Sequence, residues 1–248
     1  MKLNKIDPKF ISKANPRIGL IALGSDFRIE KDFNNVIYGK DIDLYVNRIH
    51  CYNPLTNETL AKMADDITEV TSDILPDQKI DCVAYGCTSG TVAAGYEVIK
   101  TKINAAKPEA KVTTPITSAI KALKKLNIKK ISVFTPYTKT INDTVLNYFK
   151  DQNITVNSLT YFDIASDLDI GKVEEEHLFD VLSKIDLSES EALFVSCTAL
   201  PVLSIIDKLE KELNKVVLSS NQTLIWDALN LVGNKNIVKG YGKIFEVN

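Results

Sequence analysis

Short apolar runs alternate along the chain with longer segments in which apolar residues recur every three or four positions. The runs predict buried strands, and the longer segments predict helices with one apolar face. Such alternation is typical of α/β proteins, in which helices cover a mostly parallel sheet. The predicted strands span residues 17–23, 42–49, 80–86, 130–134, 192–196 and 216–219, and the predicted helices span 56–75, 115–126, 140–150, 173–185 and 222–231, with a further helix whose first turn contains Pro201.

The pattern also repeats. The strand that ends at Gly24 lies 63 positions before Cys87, and Thr135 lies 62 positions before Cys197. Each cysteine ends an apolar run, is followed by threonine and precedes a helical pattern. The agreement predicts an internal duplication: an α/β protein of two pseudosymmetric half-domains, each a short parallel sheet flanked by helices, with the active site in the cleft between them. We assign residues 1–114 plus 220–248 to the first half-domain and 115–219 to the second.

Composition narrows the function classes. The formal net charge is −2, and Lys and Arg are spread evenly along the chain. The sequence therefore predicts no basic patch that would bind nucleic acid or a membrane surface. No apolar stretch approaches the length of a membrane span, so we expect a cytoplasmic protein with reduced cysteines. With two histidines and no Cys-x-x-Cys pair, no metal site is predicted. Gly240-x-Gly242 lacks the third glycine and the following helix of a dinucleotide site.

The two Cys-Thr steps carry the candidate chemistry. Ligands of open parallel sheets bind at the carboxyl ends of the strands, where Cys87 and Cys197 are expected. A helix N-terminus there would lower the pKa of a cysteine thiol. Thr88, Ser89 and Thr198 add hydroxyl and N–H donors suited to a carboxylate or an enolate oxygen. Each cysteine alone could equally be a buried packing residue or a residue of the site. Packing does not require the Cys-Thr step twice, so the matched pair favours a role in the site.

Four segments of the sequence resemble the motifs of a known superfamily: Gly86-Cys87-Thr88-Ser89-Gly90, Ser196-Cys197-Thr198-Ala199-Leu200-Pro201, Phe134-Thr135-Pro136-Tyr137 with Ile141-Asn142, and Ser219-Ser220-Asn221-Gln222. Through them the sequence resembles the aspartate/glutamate racemase superfamily over about residues 17–241. Within it, the chain looks closest to the branch of maleate cis-trans isomerase, arylmalonate decarboxylase and racemase-like ectoine-utilisation proteins. The resemblance implies a cofactor-independent enzyme that holds its substrate between two cysteines, here Cys87 and Cys197.

The resemblance also implies substrate-binding residues. Thr88, Ser89 and Tyr137 match the carboxylate donors of the decarboxylase, which lacks the first cysteine, so Cys87 counts against a plain decarboxylase. Maleate isomerase has asparagine where this chain has Asp26. An acid there would repel a dicarboxylate unless it were neutralised, and would suit a substrate amine or amide.

Three further positions are weaker candidates. Thr198 and Asn221 are predicted to line the pocket, although Asn221 could instead cap a helix. Arg48 could bind a carboxylate or form an exposed ion pair.

We therefore predict a cofactor-independent isomerase or racemase that acts at the carbon α to a carboxylate of a small acid or amino-acid derivative, by proton transfer between two cysteines. The alternatives left open are a maleate-type cis-trans isomerase with Cys87 as nucleophile, an arylmalonate-type decarboxylase, and a non-catalytic protein that binds a small carboxylate or senses redox state. The expected partner is the small carboxylate substrate, with a homo-oligomer possible.

Overall fold

The computed structural model describes residues 3–247. These residues form two four-stranded parallel sheets, in the strand orders β2-β1-β3-β4 and β6-β5-β7-β8. The strands are β1 (Arg17–Leu23), β2 (Asp43–Ile49), β3 (Cys82–Gly86), β4 (Lys111–Thr113), β5 (Lys130–Thr135), β6 (Thr155–Tyr161), β7 (Ala192–Val195) and β8 (Val216–Ser219). The helices are α1 (Ile29–Ile37), α2 (Asn57–Lys62), α3 (Ile67–Ser72), α4 (Thr88–Ala94), α5 (Tyr96–Ala106), α6 (Pro115–Lys125), α7 (Lys139–Asp151), α8 (Asp167–Gly171), α9 (Glu175–Leu182), α10 (Ile206–Leu213) and α11 (Ser220–Leu231).

The repeated strand order confirms the predicted α/β architecture and explains the matched spacing. Each sheet has its first strand at an inner position, with the third strand paired beside it: β1 pairs with β3, and β5 pairs with β7. Cys87 follows β3 and Cys197 follows β7, so the two thiols leave equivalent strands at the carboxyl ends of their sheets. The division of the chain at residues 114 and 220 stays a prediction.

The six predicted strands are present because their apolar residues are buried in the interior. β1, β3 and β7 are buried along almost their whole length. The sequence prediction missed β4, which has three residues, and β6, which is largely exposed at the edge of its sheet. An edge strand with few buried residues leaves no apolar run to detect.

Three helix predictions are wrong in detail. The predicted helix over 56–75 is broken by a 3-10 turn at Met63–Asp66, which keeps the buried face continuous while tightening the backbone. The helix predicted over 173–185 is only α9, with α8 before it. Pro201 does not lie in the first turn of a helix, because a loop precedes a 3-10 turn at Leu203–Ile205 and α10 begins at Ile206.

The two sheets are joined by helices that pack across the middle of the molecule. α11 packs against α6 and against β3, β4 and α1. Its start is fixed by Ser219, whose side chain accepts from the backbone N–H of Gln222 in a capping box. Within residues 3–247, no helix combines the length and apolar character that a membrane span requires.

Candidate active site

Cys87 is held at the start of α4. Its backbone is extended, and its sulfur accepts a hydrogen bond from the backbone N–H of Gly90 at 3.2 Å. The Oγ of Ser89 lies 4.0 Å from the same sulfur. Cys87 is 3% exposed, so its thiol lies inside the molecule, as a cap for the helix that follows.

Cys197 lies in a loop and not at a helix N-terminus. Its φ of +94° is a left-handed conformation that is strained for a residue with a side chain. The backbone N–H of Cys197 donates to Ser220 Oγ at 3.0 Å. Cys197 is 6% exposed. Strain of this kind persists only where surrounding contacts fix the backbone, and it is common at functional sites.

Hydrogen bonds join the two Cys-Thr turns directly. Ser220 Oγ, which accepts from Cys197, also accepts from Thr88 Oγ1 at 2.8 Å. Thr198 Oγ1 in turn donates to the carbonyl oxygen of Gly86 at 3.2 Å. These hydrogen bonds therefore hold the turn after β3, which contains Cys87, against the turn after β7, which contains Cys197.

Tyr137 lies beside both thiols. Burial raises the pKa of its phenol well above the ordinary value, and Cys197 and Cys87 both raise it further. The Tyr137 oxygen accepts from Ser196 Oγ at 3.3 Å, and its hydroxyl is close enough to Cys197 to lower the pKa of that thiol. A phenol placed this way is a hydrogen-bond donor for a thiolate or for a substrate oxygen.

The expectation of a lowered thiol pKa is wrong for this closed structure. Burial raises the pKa of Cys87 and of Cys197, because desolvation penalises the thiolate. For Cys87 the Gly90 N–H lowers the pKa, but by less than burial raises it. For Cys197 the expected helix N-terminus is absent, and the carboxyl of Asp167 raises its pKa further.

Asp26 is completely buried, at 0% exposed, and its carboxyl is fixed from one side. Its Oδ1 accepts from the backbone N–H groups of Arg28 at 2.7 Å and Ile29 at 3.0 Å, at the start of α1. Its Oδ2 is buried and has no hydrogen-bond partner. Burial raises the pKa of Asp26, the two N–H groups lower it, and the nearby Thr198 hydroxyl also lowers it.

Sequence reasoning missed Asp167. This residue begins α8, is 3% exposed, and its Oδ2 accepts a hydrogen bond from the Ser25 hydroxyl. Burial raises its pKa to about 6, and Asp26 contributes to the rise. Asp167 also raises the pKa of both thiols, which places it near Cys87 and Cys197. An acid that starts a short helix after an edge strand carries no sequence signal that separates it from a surface acid.

The remaining candidates are Asn221, which contacts the second Cys-Thr turn, and Arg48, which is bound elsewhere in the protein. Asn221 is buried and reaches the second Cys-Thr turn, where its Nδ2 donates to Thr198 O at 2.8 Å and to Asp32 Oδ2 at 2.7 Å. It is not the helix cap, which is Ser219. Arg48 forms the ion pair with Glu30 at 2.7 Å and donates to backbone oxygens of Leu23 and Asp26, so its guanidinium is bound within the protein.

The segment around α8 is hydrogen-bonded to loops of the first sheet. Asp167 N donates to Asn53 Oδ1 at 3.3 Å, and Leu55 N donates to Ala165 O at 2.9 Å. Arg28 Nη2 donates to Gly171 O at 3.1 Å. These bonds tie the segment after β6 to loops of the first sheet. In residues 3–247, His, Cys, Asp and Glu form no group of three or more arranged to hold a metal ion.

The fold and site together define a class: two-sheet α/β proteins with a pair of buried thiols at equivalent strand ends. The family model described as arylmalonate decarboxylase matches residues 36–245. The chain therefore belongs to the arylmalonate decarboxylase family.

The named relatives include maleate isomerases and an arylmalonate decarboxylase. The chain is 24% identical over 243 residues to maleate isomerase of Geobacillus stearothermophilus. The aligned region covers 92% of this chain and 96% of that protein. It is 23% identical over 137 residues to arylmalonate decarboxylase of Bordetella bronchiseptica, covering 54% and 57% of the two chains. The fold is also that of a cysteine-to-serine mutant of Nocardia farcinica maleate cis-trans isomerase, which was solved with a covalently bound succinylcysteine intermediate. The TM-score is 0.86 at 19% sequence identity, and the superposition covers 94% of this chain and 99% of that one.

Proposed function

We propose that this protein is a cofactor-independent isomerase that acts at the carbon α to a carboxylate of a small acid, with Cys87 and Cys197 as the reacting thiols. The observation that carries the proposal is the interlocking of the two Cys-Thr turns through Ser220 and through the Thr198 to Gly86 hydrogen bond. Relatives that cover the chain almost end to end are named maleate isomerase, which supports an isomerase.

In the proton-transfer reaction, one cysteine enters as thiolate and the other as thiol. The thiolate takes the α proton, and the C–H electron pair moves into the carboxylate to give an enediolate. The other thiol then delivers its proton to the opposite face of the carbon, and becomes a thiolate. One proton is taken and one returned, so the configuration at the α carbon is inverted while the composition and charge of the substrate stay the same.

Donors around the thiols support this chemistry. Removing one positioned donor from an oxyanion typically costs about 10²–10³ in rate. The hydroxyls of Thr88, Ser89 and Tyr137 lie beside the cysteines and would stabilise the developing oxyanion. Because burial raises the pKa of both thiols, we expect the reactive thiolate to depend on the Gly90 N–H at Cys87 and on the Tyr137 hydroxyl at Cys197.

A cis-trans isomerisation is the second candidate, and the full-length similarity to maleate isomerases favours it. In this reaction the Cys87 thiolate adds to a carbon–carbon double bond, and the Cys197 thiol protonates the adjacent carbon. Rotation about the new single bond follows. Cys197 then removes the proton, and the carbon–sulfur bond breaks to give the other geometric isomer.

Proton NMR in deuterated water separates the two reactions. The substrates would be a panel of chiral amino acids, acylated amino acids, hydantoins and unsaturated diacids. Deuterium appearing at an α position, lost at least about a hundredfold in both Cys87→Ser and Cys197→Ser, supports proton transfer. Conversion of an unsaturated acid to its geometric isomer without α exchange supports the second candidate.

The control is Cys82→Ser, which changes another buried cysteine within β3. This variant should keep its activity, provided that it folds. If activity persists in both Cys87→Ser and Cys197→Ser, the two-thiol mechanism is wrong. Thermal stabilisation by a ligand with no chemistry in any assay would instead favour a binding protein.

A further inference from the structure

The site contains more buried acceptors than the thiol chemistry uses. Asp26 from the turn between β1 and α1, Asp167 from α8 and Asn221 from α11 interact with residues of the second Cys-Thr turn. Asp167 and Asp26 both raise the pKa of Cys197, and Asp26 raises the pKa of Asp167. Asn221 is bonded to Thr198 in the same turn.

Two of these acceptors lack the partner that a buried oxygen needs. Asp26 Oδ2 and Asn221 Oδ1 are both buried without a hydrogen bond. Asp26 cannot turn Oδ2 away, because its other oxygen is held by two backbone N–H groups. The amide of Asn221 is fixed in the same manner, since its Nδ2 donates to Asp32 and to Thr198 and leaves Oδ1 as a free acceptor.

The guanidinium groups of the nearby arginines do not hydrogen-bond these oxygens, although the charge of Arg48 lowers the pKa of Asp26. The guanidinium of Arg48 donates to Leu23 O, Asp26 O and Glu30. That of Arg28 donates to Gly171 O and stacks over the Phe27 ring at 5.1 Å, with its Nε unpartnered. Among the described residues, neither guanidinium donates a hydrogen bond to a side-chain oxygen of Asp26 or Asp167.

We propose that Asp26, Asp167 and Asn221 form an acceptor subsite for a nitrogen-bearing group of the substrate, an ammonium or an amide N–H, next to the carbon on which the thiols act. The substrate is then a nitrogen-substituted carboxylic acid in preference to a dicarboxylate. This inference rests on the proposed function, which supplies the carboxylate and the reacting carbon, and adds the group that selects the substrate.

Donor and acceptor chemistry supports the choice of nitrogen. An ammonium or amide supplies the N–H groups that the two unpartnered oxygens lack. A second substrate carboxylate supplies no donor, and it would face two aspartates whose ionised forms repel it. A dicarboxylate would therefore bind well only where an aspartate of the subsite is protonated, and Asp167, whose pKa is about 6, is largely ionised at pH 8.

Matched ligands test this subsite without turnover. Binding would be measured by calorimetry at pH 8 on the Cys87→Ser/Cys197→Ser double variant. Maleate would be compared with maleamate, and succinate with succinamate and 3-aminopropanoate, because each set differs at one end of a similar skeleton. We expect at least one nitrogen-bearing ligand to bind at least about tenfold more tightly than its dicarboxylate counterpart.

Isosteric variants locate the effect. Asp26→Asn and Asp167→Asn remove the charge and add a donor at nearly constant volume, so each should shift preference toward the dicarboxylate, and the pair together should reverse it. The matched control is Asp227→Asn, another buried carboxyl, which pairs with Lys121 between α6 and α11. The control should keep the preference of the parent.

Two results overturn the inference. One is a dicarboxylate that binds as tightly as its nitrogen-bearing counterpart, or tighter, in the double cysteine variant. The other is that no nitrogen-bearing ligand binds at millimolar concentration. If the asparagine variants do not fold, the ligand comparison alone still decides. The proposed function fails separately, by isomerisation that survives loss of the thiols, so the two failures are distinguishable.

Discussion

Tyr137 is the residue that connects the two cysteines, because both thiols raise the pKa of its hydroxyl. Tyr137→Phe keeps the ring and removes the donor. We expect kcat to fall about 10²–10³-fold, in keeping with the loss of one positioned donor. The pKa of Cys197 should rise, because the hydroxyl that lowers it is gone. A kcat–pH profile would show the fall together with a basic shift of the limb that reports the thiolate.

The control for this change is Tyr148→Phe. Tyr148 lies on α7, is partly buried, and has a pKa raised by burial without influence from either cysteine. It should lose a little stability and no activity. If Tyr137→Phe behaves in the same way, its hydroxyl has a packing role only.

Asp32 illustrates how the site affects stability. Burial raises the pKa of its carboxyl from 3.8 to about 7, although the Asn221 amide lowers it. Between pH 4 and 7, the folded state therefore holds a proton that the unfolded state has released. Folding stability falls as pH rises through that window and is lowest above it. Asp32→Asn should flatten this fall and raise the melting temperature at pH 8 by about 2–4 °C.

The same substitution should change little at pH 4, where Asp32 is protonated when folded. Melting curves at several pH values check this. Asp169→Asn is the control of opposite sign, because Lys172 lowers the pKa of Asp169. It should gain no stability at pH 8. Equal gains in both variants would show that overall charge, not burial of Asp32, sets the trend.

At the scale of elements, α4 depends on a glycine in its first turn. A Cβ at Gly90 would lie 2.8 Å from the Cys87 sulfur and 3.0 Å from the Tyr85 hydroxyl. Gly90→Ala should therefore push the thiol away from the N–H that caps it. We expect kcat to fall at least about tenfold, beyond a loss of about 1–3 kcal/mol in the free energy of unfolding from overpacking. Steady-state kinetics and denaturant melts measure the two effects separately.

Gly19→Ala is the matched control for crowding. Its Cβ would lie 3.2 Å from Ile74 in the core under β1, without touching a thiol. It should lose stability and keep kcat in the folded fraction. A Gly90→Ala variant with unchanged kcat would contradict the capping role of this helix turn.

Elements also show how far sequence reasoning reaches. Buried inner strands such as β1 and β7 are predictable because they are apolar runs in the sequence. The Cys-Thr steps mark where β3 and β7 end. The helix expected to start at Pro201 starts at Ile206, because residues 197–202 form a loop that carries the Thr198 hydroxyl to Gly86. Asp167 escaped prediction for a related reason: its place at the site depends on the loop after an exposed strand, and loop paths are set by tertiary contacts.

At the scale of the whole molecule, the repeated strand order places the two cysteines at equivalent positions with different surroundings. The same strand order places one thiol in each half. The two thiols are nevertheless held differently, Cys87 as a helix cap and Cys197 in a strained loop. Equivalent positions with unequal surroundings give the two cysteines separate pKa environments, as two groups that alternate between acid and base require.

Closure is the last property that belongs to the whole molecule. Both thiols are buried, so a substrate can reach them only when part of the surrounding structure moves, and we expect the segment around α8 to be that part. Arg28 holds that segment by donating to Gly171 O at 3.1 Å. Arg28→Ala should let it open more often, and Cys87 and Cys197 should react with iodoacetamide at least about threefold faster, while global unfolding changes by less than about 1 kcal/mol. Mass spectrometry of the cysteine peptides measures these rates.

Arg17→Ala is the matched control, since Arg17 also donates from its guanidinium to a backbone oxygen, that of Lys79, but at the opposite end of β1 and within the first half. Its thiols should react at the parent rate. Faster reaction of Cys82 together with the other two in Arg28→Ala would indicate global loosening, because Cys82 lies inside β3 and not in the site. Parent-like rates for Cys87 and Cys197 in Arg28→Ala would mean that the site opens elsewhere, since this hydrogen bond would then not limit access to the thiols.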